Sequence, residues 1–373
     1  MIYLDYAANT PADEQVINTF AEVSRDFIAN PNSTHELGRL AASRLMESTS
    51  GIAEILGVSD SEIIFTSGAS ESNNTAIKGI AERNRKYGKH IITTFLEHSS
   101  VNGAVGYLQN NGFEVDYVGI TDNGLIDLDN LQELMRDTTI LVSICYVDSE
   151  VGIVQQISKI GEIIKDYPHC NFHVDATQAV GKIPVDFSNV DLVTFAPHKF
   201  YGLNGCGILV KKENVMMEPL IHGGISTTPY RSGTPALGMA AAAEKALALA
   251  DENMEQRYSY VRKLNDKLKM ELIKYGNIKI NSNENSIPFI LNISIMKVNT
   301  EQFKKELESY DVYVSTKSAC CAPNTASRPV YALTGDRKRA LSTLRISLSH
   351  LTSYSDIDLF LDAFDRCYKK LVK

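Results

Sequence analysis

Between residues 61 and 209, short apolar runs rich in β-branched residues alternate with stretches of helical periodicity. The predicted strands are 62–66, 90–95, 113–118, 139–147, 172–175 and 192–196. Helical patterns such as 70–87 and 157–167 separate most of them. This alternation predicts a mainly parallel sheet that is covered by helices on both faces. Ligands of such sheets bind at the carboxyl ends of the strands.

The chain has 373 residues, more than one hydrophobic core usually holds, so two domains are expected. We predict a large domain over residues 15–250 and a smaller α+β domain from residues 1–14 and 251–373. An alanine-rich segment, 236–250, runs into 252–274 with helical spacing, which predicts one long helix that leaves the large domain. Further predicted strands are 289–295 and 344–348, and further predicted helices are 300–310 and 354–369.

Charge and hydropathy exclude several classes of protein. The net charge of −8 argues against a nucleic-acid partner, and no apolar stretch is long enough to span a bilayer. Residues 1–6 lack the basic and apolar pattern of a signal peptide, so we expect a cytoplasmic protein without a membrane partner. The six cysteines are scattered and are expected to be reduced thiols.

Two predicted strands end beside residues that could carry chemistry. One strand ends at Asp175, and the next is followed by Pro197, His198 and Lys199. A lysine close to buried apolar surface can become a nucleophilic amine. Each residue also has a plainer interpretation, since Asp175 could cap the next helix and Lys199 could be a surface lysine in a loop.

A cofactor with an aldehyde and a pyridine ring needs both of these groups. A lysine forms a Schiff base with the aldehyde, and a carboxylate holds the proton of the pyridinium nitrogen. The phosphate of such a cofactor binds backbone N–H groups at a helix N-terminus. Residues 65–74 offer a strand, a glycine turn, hydroxyl groups and then a helix. The alternative for this segment is an ordinary helix cap at Ser70.

Several short motifs are spread over nearly the whole chain. They are Tyr3-Leu4-Asp5-Tyr6-Ala7-Ala8, Asn30-Pro31-Asn32-Ser33-Thr34-His35, Phe65 to Asn74, Glu97-His98, His173 to Gln178, His198-Lys199, His222-Gly223-Gly224, Arg231-Ser232-Gly233-Thr234 and Ser318-Ala319-Cys320. In this order they resemble the class V aminotransferase family and, within it, the NifS/IscS-type cysteine desulfurases. The resemblance implies the type I fold of pyridoxal-phosphate (PLP) enzymes, with a large mainly parallel-sheet domain that binds PLP and a smaller α+β C-terminal domain.

The resemblance implies roles for the residues around the cofactor ring. Lys199 would bind the aldehyde of PLP and later move protons at the substrate carbon. Asp175 would bind the pyridine nitrogen and Gln178 the ring hydroxyl. His98 would stack on the ring and serve in acid–base steps.

Further roles concern the phosphate and the substrate. Ala69, Ser70 and His198 would hold the phosphate of PLP. Thr234 would reach the phosphate of the partner subunit's cofactor, which implies a homodimer. Arg345 would bind the carboxylate of the substrate with its two-pronged guanidinium.

Cys320 would be the nucleophile of a desulfurase. Its thiolate would attack the sulfur of bound L-cysteine, which gives L-alanine and a persulfide that passes to a sulfur-acceptor protein. Residues 315–328 are rich in small and polar residues, as a loop requires, and Lys317 and Arg328 could favour the thiolate. Without the resemblance, Cys320 would be interpreted as a loop cysteine without a function.

The chain departs from the family pattern at several positions. Asp148 and Ser149 stand where desulfurases usually have two asparagines, and the second of these normally reaches the cofactor's ring oxygen and the substrate. Ala196 replaces a hydroxyl residue that usually donates to the phosphate. Lys317 and Cys321 alter the sequence around Cys320.

These departures keep other functions open. One is a PLP-dependent lyase or aminotransferase that acts on another amino acid, including selenocysteine. Another is a family member without catalytic activity. No metal site is expected, because residues 169–173 are predicted to lie partly on a strand, where alternate side chains face opposite ways, and no closing ligand pair follows at zinc spacing.

Overall fold

The computed structural model describes residues 1–317 and 325–372, whose helices and strands are numbered here in chain order. The strands are β1 (Ile2–Tyr3), β2 (Ile63–Thr66), β3 (His90–Thr93), β4 (Glu114–Tyr117), β5 (Thr139–Cys145), β6 (Asn171–Asp175), β7 (Leu192–Phe195), β8 (Gly207–Lys211), β9 (Ile278–Ile280), β10 (Ile290–Ile295), β11 (Val312–Tyr313) and β12 (Thr343–Ser347). The α-helices are α1 (Glu14–Asp26), α2 (Glu36–Leu56), α3 (Ala69–Asn84), α4 (Ser99–Asn110), α5 (Leu128–Leu134), α6 (Ile157–Ile164), α7 (Leu237–Glu252), α8 (Met254–Leu272), α9 (Thr300–Glu308), α10 (Arg328–Thr334), α11 (Arg337–Leu341) and α12 (Tyr354–Leu371).

The large sheet follows the strand order β2-β8-β7-β6-β5-β3-β4 within the described chain. Strand β8 is antiparallel to both of its neighbours, and the pairs from β7 to β4 are parallel. Every residue of β5 is buried, as expected for a strand with helices on both sides. The predicted mainly parallel sheet is confirmed.

Alternate residues of the sheet strands enter two hydrophobic clusters on opposite faces. On β3, Ile91 packs with residues of α3 and α4, such as Ile80 and Leu108. Its neighbour Ile92 belongs to the other cluster, together with Ile160 of α6. This is the period of two that a strand imposes on its side chains.

A second sheet has the order β12-β10-β9, and its pairs are antiparallel. Side chains of α8, α9 and α12, including Leu264, Phe303 and Phe364, lie in the same cluster as residues of this sheet. Strand β1 pairs in parallel with β11, and Asp5 forms a bridge with Ser347 of β12. The first residues of the chain therefore pack beside its last third.

The prediction of one long helix over 236–274 is wrong. The structure has two helices, α7 and α8, which meet at Asn253, where φ is −106° and ψ is 6°. The amide of Asn253 donates to the carbonyl of Leu249 at 2.9 Å. Such bonds from asparagine to nearby backbone compete with helical geometry, and sequence periodicity does not reveal them.

Candidate active site

A cavity of about 380 Å³ opens at the carboxyl ends of the central strands. Its lining includes the predicted site residues Ala69, Ser70, His98, Ser149, Asp175, Gln178, His198, Lys199 and Arg345. These residues come from loops and helix starts that are far apart in the sequence. The edge of the sheet brings them together, as expected for a fold of this kind.

Lys199 ends a short 3₁₀ turn, Pro197–Lys199, that directly follows β7. Its Nζ donates to the carbonyl oxygens of Ala8 at 2.6 Å and Ala7 at 3.0 Å. The carbonyl of Ala7 also accepts a bond from Gln178 at 2.9 Å. Ala7 and Ala8 lie in one of the sequence motifs, but no role was predicted for either residue.

Asp175 is the last residue of β6 and is 6% exposed. Its Oδ1 accepts the backbone N–H of Thr177 at 3.0 Å, and its Oδ2 accepts from Nδ2 of Asn73 at 2.8 Å. A buried carboxylate no longer contacts water, so it needs hydrogen-bond donors from the protein. Asn73 is fully buried on α3 and was not among the site residues predicted from the sequence.

Lys182 is a buried lysine behind the cavity and was not among the residues predicted from the sequence. Its Nζ donates to Oε1 of Gln178 at 2.5 Å. Burial, together with the charges of Lys199 and Arg345, lowers the pKa of Lys182 to about 7. Because Oε1 of Gln178 faces Lys182, the amide nitrogen of Gln178 is the atom that faces Ala7.

Two histidines of the cavity are held in their neutral form. Burial lowers the pKa of His98. Burial and the neighbouring charges of Lys199 and Lys182 lower the pKa of His198 to about 4. Both imidazoles can therefore act as neutral hydrogen-bonding groups at physiological pH.

The start of α3 offers backbone donors to the cavity. The helix begins at Ala69. Its N-cap residue is Gly68, which has no side chain that could cap the first N–H groups. Strand β8 passes so close that a Cβ on Gly207 would lie 2.4 Å from the carbonyl carbon of Gly68. The unpaired N–H groups and the helix dipole make this end of α3 suitable for an anion.

Arg345 lies on β12 and is 1% exposed. Its Nη2 donates to Oδ1 of Asp5 at 2.8 Å, and its Nη1 donates to the carbonyl of Ser149 at 2.8 Å. Its Nε has no hydrogen-bond partner among the described residues. Since a guanidinium has five N–H donors, Arg345 keeps donors for an anionic ligand.

Asp148, which stands in place of an asparagine, organises the loop that carries Ser149. Its Oδ1 accepts the N–H groups of Glu150 at 2.9 Å and Val151 at 2.7 Å, and its Oδ2 accepts that of Ile153 at 2.8 Å. Burial raises the pKa of Asp148 to about 6. A carboxylate accepts on both oxygens, so aspartate suits this loop better than asparagine would.

The chain is similar over nearly its whole length to proteins of one known family. The family model described as aminotransferase class-V matches residues 2–360. The chain belongs to this family. A NifS/IcsS protein homolog of Lactobacillus delbrueckii subsp. bulgaricus is 39% identical over 100% of this chain and 98% of its own length.

Two further relatives support the class-V assignment. A protein named cysteine desulfurase IscS, from Klebsiella pneumoniae subsp. pneumoniae, is 39% identical over 99% of this chain and 93% of its own length. A solved NifS-like protein superimposes with a TM-score of 0.93 at 34% identity, and the match covers 99% of this chain and 100% of that one. The fold is therefore that of type I PLP enzymes, as predicted.

The class-V family is PLP-dependent, and the residues of the cavity fit this cofactor. The amine of Lys199 matches its aldehyde, the carboxylate of Asp175 matches its pyridine nitrogen, and the start of α3 matches its phosphate. In addition, Thr177 lines the cavity, and its buried hydroxyl has no hydrogen-bond partner among the described residues. A buried polar atom of this kind is typical of a site that completes its hydrogen bonds with a ligand.

Three predicted positions lie apart from the cavity or outside the described chain. Thr234 is exposed and does not line the cavity. Its segment is tied to the start of α3 by the bond from Arg231 to Glu71 at 2.9 Å. Cys320 and Cys321 lie outside the described residues.

The histidines of the run 169–173 have other partners. His173 is buried, and its ring nitrogens bond to Ser143 at 2.8 Å and Thr194 at 3.1 Å. His169 stacks on Tyr87 with ring centroids 4.0 Å apart. Within 1–317 and 325–372, no cluster of three or more metal-ligating side chains occurs. Among the same residues, none of the helices has the length and apolar character that are needed to cross a membrane.

Proposed function

We propose that this chain is a PLP-dependent cysteine desulfurase, which converts L-cysteine to L-alanine and holds the sulfur as a persulfide on Cys320. One observation carries the proposal. A single cavity combines Lys199, Asp175, His98 and Arg345, in a chain whose full-length relatives are named for this activity. When bound, PLP supplies an electron sink for the bonds at the substrate's α-carbon.

The residues around the cavity divide the work of binding and proton transfer. Lys199 provides the amine that binds the cofactor and moves a proton at the α-carbon. Asp175, which lies at the end of β6, would favour the proton on the pyridine nitrogen through the negative charge of its carboxylate. Arg345 orients the carboxylate of the substrate with its remaining N–H donors.

The described residues next to Cys320 support its role in sulfur transfer. Thr325 and Arg328, which follow it in the chain, line a second cavity together with His98 and Ser149. His98 and Ser149 also line the first cavity. In the proposed step, a sulfur–sulfur bond to the Cys320 thiolate forms as the carbon–sulfur bond of the substrate breaks, and the carbon fragment is protonated to alanine.

The test is incubation of the purified PLP-loaded protein with L-cysteine and a reductant. We expect equal amounts of alanine and sulfide, and a persulfide on Cys320 when the reductant is left out. Cys320→Ala should abolish the persulfide, whereas Cys321→Ala, the matched control, should keep it. Lys199→Ala should lose the absorbance band of the bound cofactor after dialysis.

Other outcomes would favour other functions. Turnover of an amino acid other than cysteine that persists in Cys320→Ala would indicate a PLP-dependent lyase or aminotransferase. Ser149 is the position at which such a change of substrate would arise, since its carbonyl contacts Arg345. An absent absorbance band after addition of PLP to the wild-type protein would contradict the proposal as a whole.

We also propose that the enzyme is a homodimer. Four large apolar side chains are exposed on two segments of the chain that a hydrogen bond joins. They are Ile28, Leu37, Leu40 and Ile225. The bond between Asn32 and Ser226 at 2.9 Å joins the two segments that carry them. A second copy would cover this surface and would bring its Thr234 to the phosphate site.

Two coarser proposals concern the division of the chain and its location. Residues 15–250 would form the PLP-binding domain, and residues 1–14 with 251–373 would form the small domain that carries Cys320. The pairing of β1 with β11 supports this division. We place the enzyme and its sulfur-acceptor protein in the cytoplasm, which agrees with the free thiols of Cys145, Cys170, Cys206 and Cys367.

A further inference from the structure

His98 caps helix α4 with its imidazole ring. Nδ1 accepts the backbone N–H of Ser100 at 3.2 Å, and the hydroxyl oxygen of Ser100 lies 2.8 Å from the same nitrogen. A backbone N–H can only donate, so Nδ1 must present a lone pair. The proton of neutral His98 is therefore on Nε2.

Asn73 sets the direction of the Ser100 hydroxyl. Its Nδ2 lies 2.8 Å from Oδ2 of Asp175 and 2.9 Å from Oγ of Ser100. A carboxylate only accepts hydrogen bonds, so the nitrogen of the amide must face Asp175. The second N–H of Asn73 then points at Ser100, whose own proton is left for Nδ1 of His98.

The four residues thus form one hydrogen-bonded chain, in which Asn73 donates to both Asp175 and Ser100, and Ser100 donates to His98. Asn73 is fully buried, and its Oδ1 has no partner among the described residues. A reversed amide would place this oxygen against the carboxylate of Asp175 and would accept the proton of Ser100, which would then be lost to His98. The orientation of Asn73 is therefore fixed by Asp175.

We propose that Asn73 and Ser100 are positioning residues that hold His98 as the tautomer protonated on Nε2, so that His98 exchanges its proton in the cavity at Nε2 alone. The role of this proton in turnover rests on the proposed function, whereas the tautomer does not. Four charged groups act on His98, namely Asp175 and Glu150, which raise its pKa, and Lys199 and Arg345, which lower it. Burial outweighs them and lowers the pKa, which keeps the ring neutral.

The tautomer can be read from the ring nitrogens of His98 by ¹⁵N NMR of the full-length protein, before and after addition of PLP. The spectrum of His98→Gln identifies its signals. We expect an unprotonated Nδ1 and a protonated Nε2 in the wild type. Ser100→Ala should reduce the preference for this tautomer about 2- to 10-fold and raise the pKa of His98, because a donor to the neutral ring is lost.

Two further variants separate a positioning role from a general structural one. Ser100→Thr keeps the hydroxyl and should restore the wild-type spectrum. Ser99→Ala removes an exposed hydroxyl from the same helix turn and should leave the spectrum unchanged. If Ser100→Ala gives the same ring signals and the same pKa as Ser99→Ala, the proposed control of His98 is wrong.

Kinetics give a second readout. In Ser100→Ala we expect kcat to fall about 2- to 10-fold and the pH profile of kcat to shift upward with the pKa of His98, while KM for cysteine stays nearly constant. An unchanged pH profile would contradict the role of the tautomer in turnover. A wild-type protein with the expected tautomer but without desulfurase activity would instead overturn the proposed function and leave the tautomer assignment standing.

Discussion

At the scale of single residues, buried lysine amines shape the electrostatics of the cavity. Lys182 is 7% exposed and lies behind Gln178, so the carbonyl of that side chain is turned away from the cavity. Its charge also lowers the pKa of His198. Lys182 therefore affects both the hydrogen bonds and the charge of the cavity, although it does not line it.

The first prediction concerns Lys182 and the pH dependence of stability. Its pKa is lowered to about 7, mainly by burial, whereas an unfolded lysine keeps its proton to about pH 10.4. Between these values the unfolded state binds one more proton, so the free energy of unfolding should rise with pH by up to about 1.4 kcal/mol per unit. Urea unfolding at pH 7, 8 and 9 should show this rise in the wild type and not in Lys182→Met.

The control for this experiment is Lys279→Met, which removes a lysine from the exposed side of β9. Its pH dependence should match that of the wild type. If Lys182→Met and the wild type have the same slope over this range, Lys182 keeps its proton in the folded state, and the explanation from burial is wrong.

At the scale of elements, the close contact between β8 and the start of α3 places the anion-binding end of the helix. An added Cβ at Gly207 would lie 2.4 Å and 2.6 Å from backbone atoms of Gly68 and 2.6 Å from the hydroxyl of Thr66. These are mainly backbone neighbours, which cannot move aside as a flexible side chain can. The position of the N-terminus of α3 and the position of β8 therefore depend on each other.

The second prediction is that Gly207→Ala weakens PLP binding. Overpacking of this kind costs typically about 1–3 kcal/mol, which corresponds to about 5- to 150-fold in Kd if it falls on the bound state. The measurement is a PLP titration followed by absorbance. Gly106→Ala on α4 is the matched control, because a Cβ there meets no atom within 4 Å, and it should leave the Kd unchanged.

At the scale of the whole molecule, the site requires a second copy if Thr234 contacts the phosphate, because in its own subunit Thr234 does not line the cavity. Ile28 and Ile225 are 81% and 84% exposed, which is uncommon for isoleucine on a monomer's surface. The proposed dimer interface would explain both observations.

The third prediction follows from that interface. Light scattering should give the wild type twice the chain mass of 41.2 kDa. The double variant Leu37→Glu, Ile225→Glu should give the mass of one chain and should lose PLP faster on dialysis. Leu359→Glu changes a similarly exposed leucine on α12 and should remain dimeric. A wild type with the mass of one chain would contradict the dimer.

Much of the fold followed from local patterns. Six of the seven strands of the large sheet lie within two residues of their predicted bounds, because buried strands are recognised as apolar β-branched runs. The seventh, β8 (Gly207–Lys211), was not predicted. The break at Asn253 was missed, since the helical periodicity of the sequence continues across it and a side-chain bond to Leu249 is visible only in the structure. Domain bounds and the roles of individual site residues stay predictions.

The sequence by itself determined the chemistry that is available, through Lys199, Asp175 and the glycine turn before α3, because residue type and the succession of elements along the chain can be read locally. Only the tertiary structure decided how these groups are held. The carbonyls of Ala7 and Ala8, the amide of Asn73 and the amine of Lys182 reach the site from distant parts of the chain. A hydrogen bond depends on distance and direction in space, and these are set by packing rather than by neighbours in sequence.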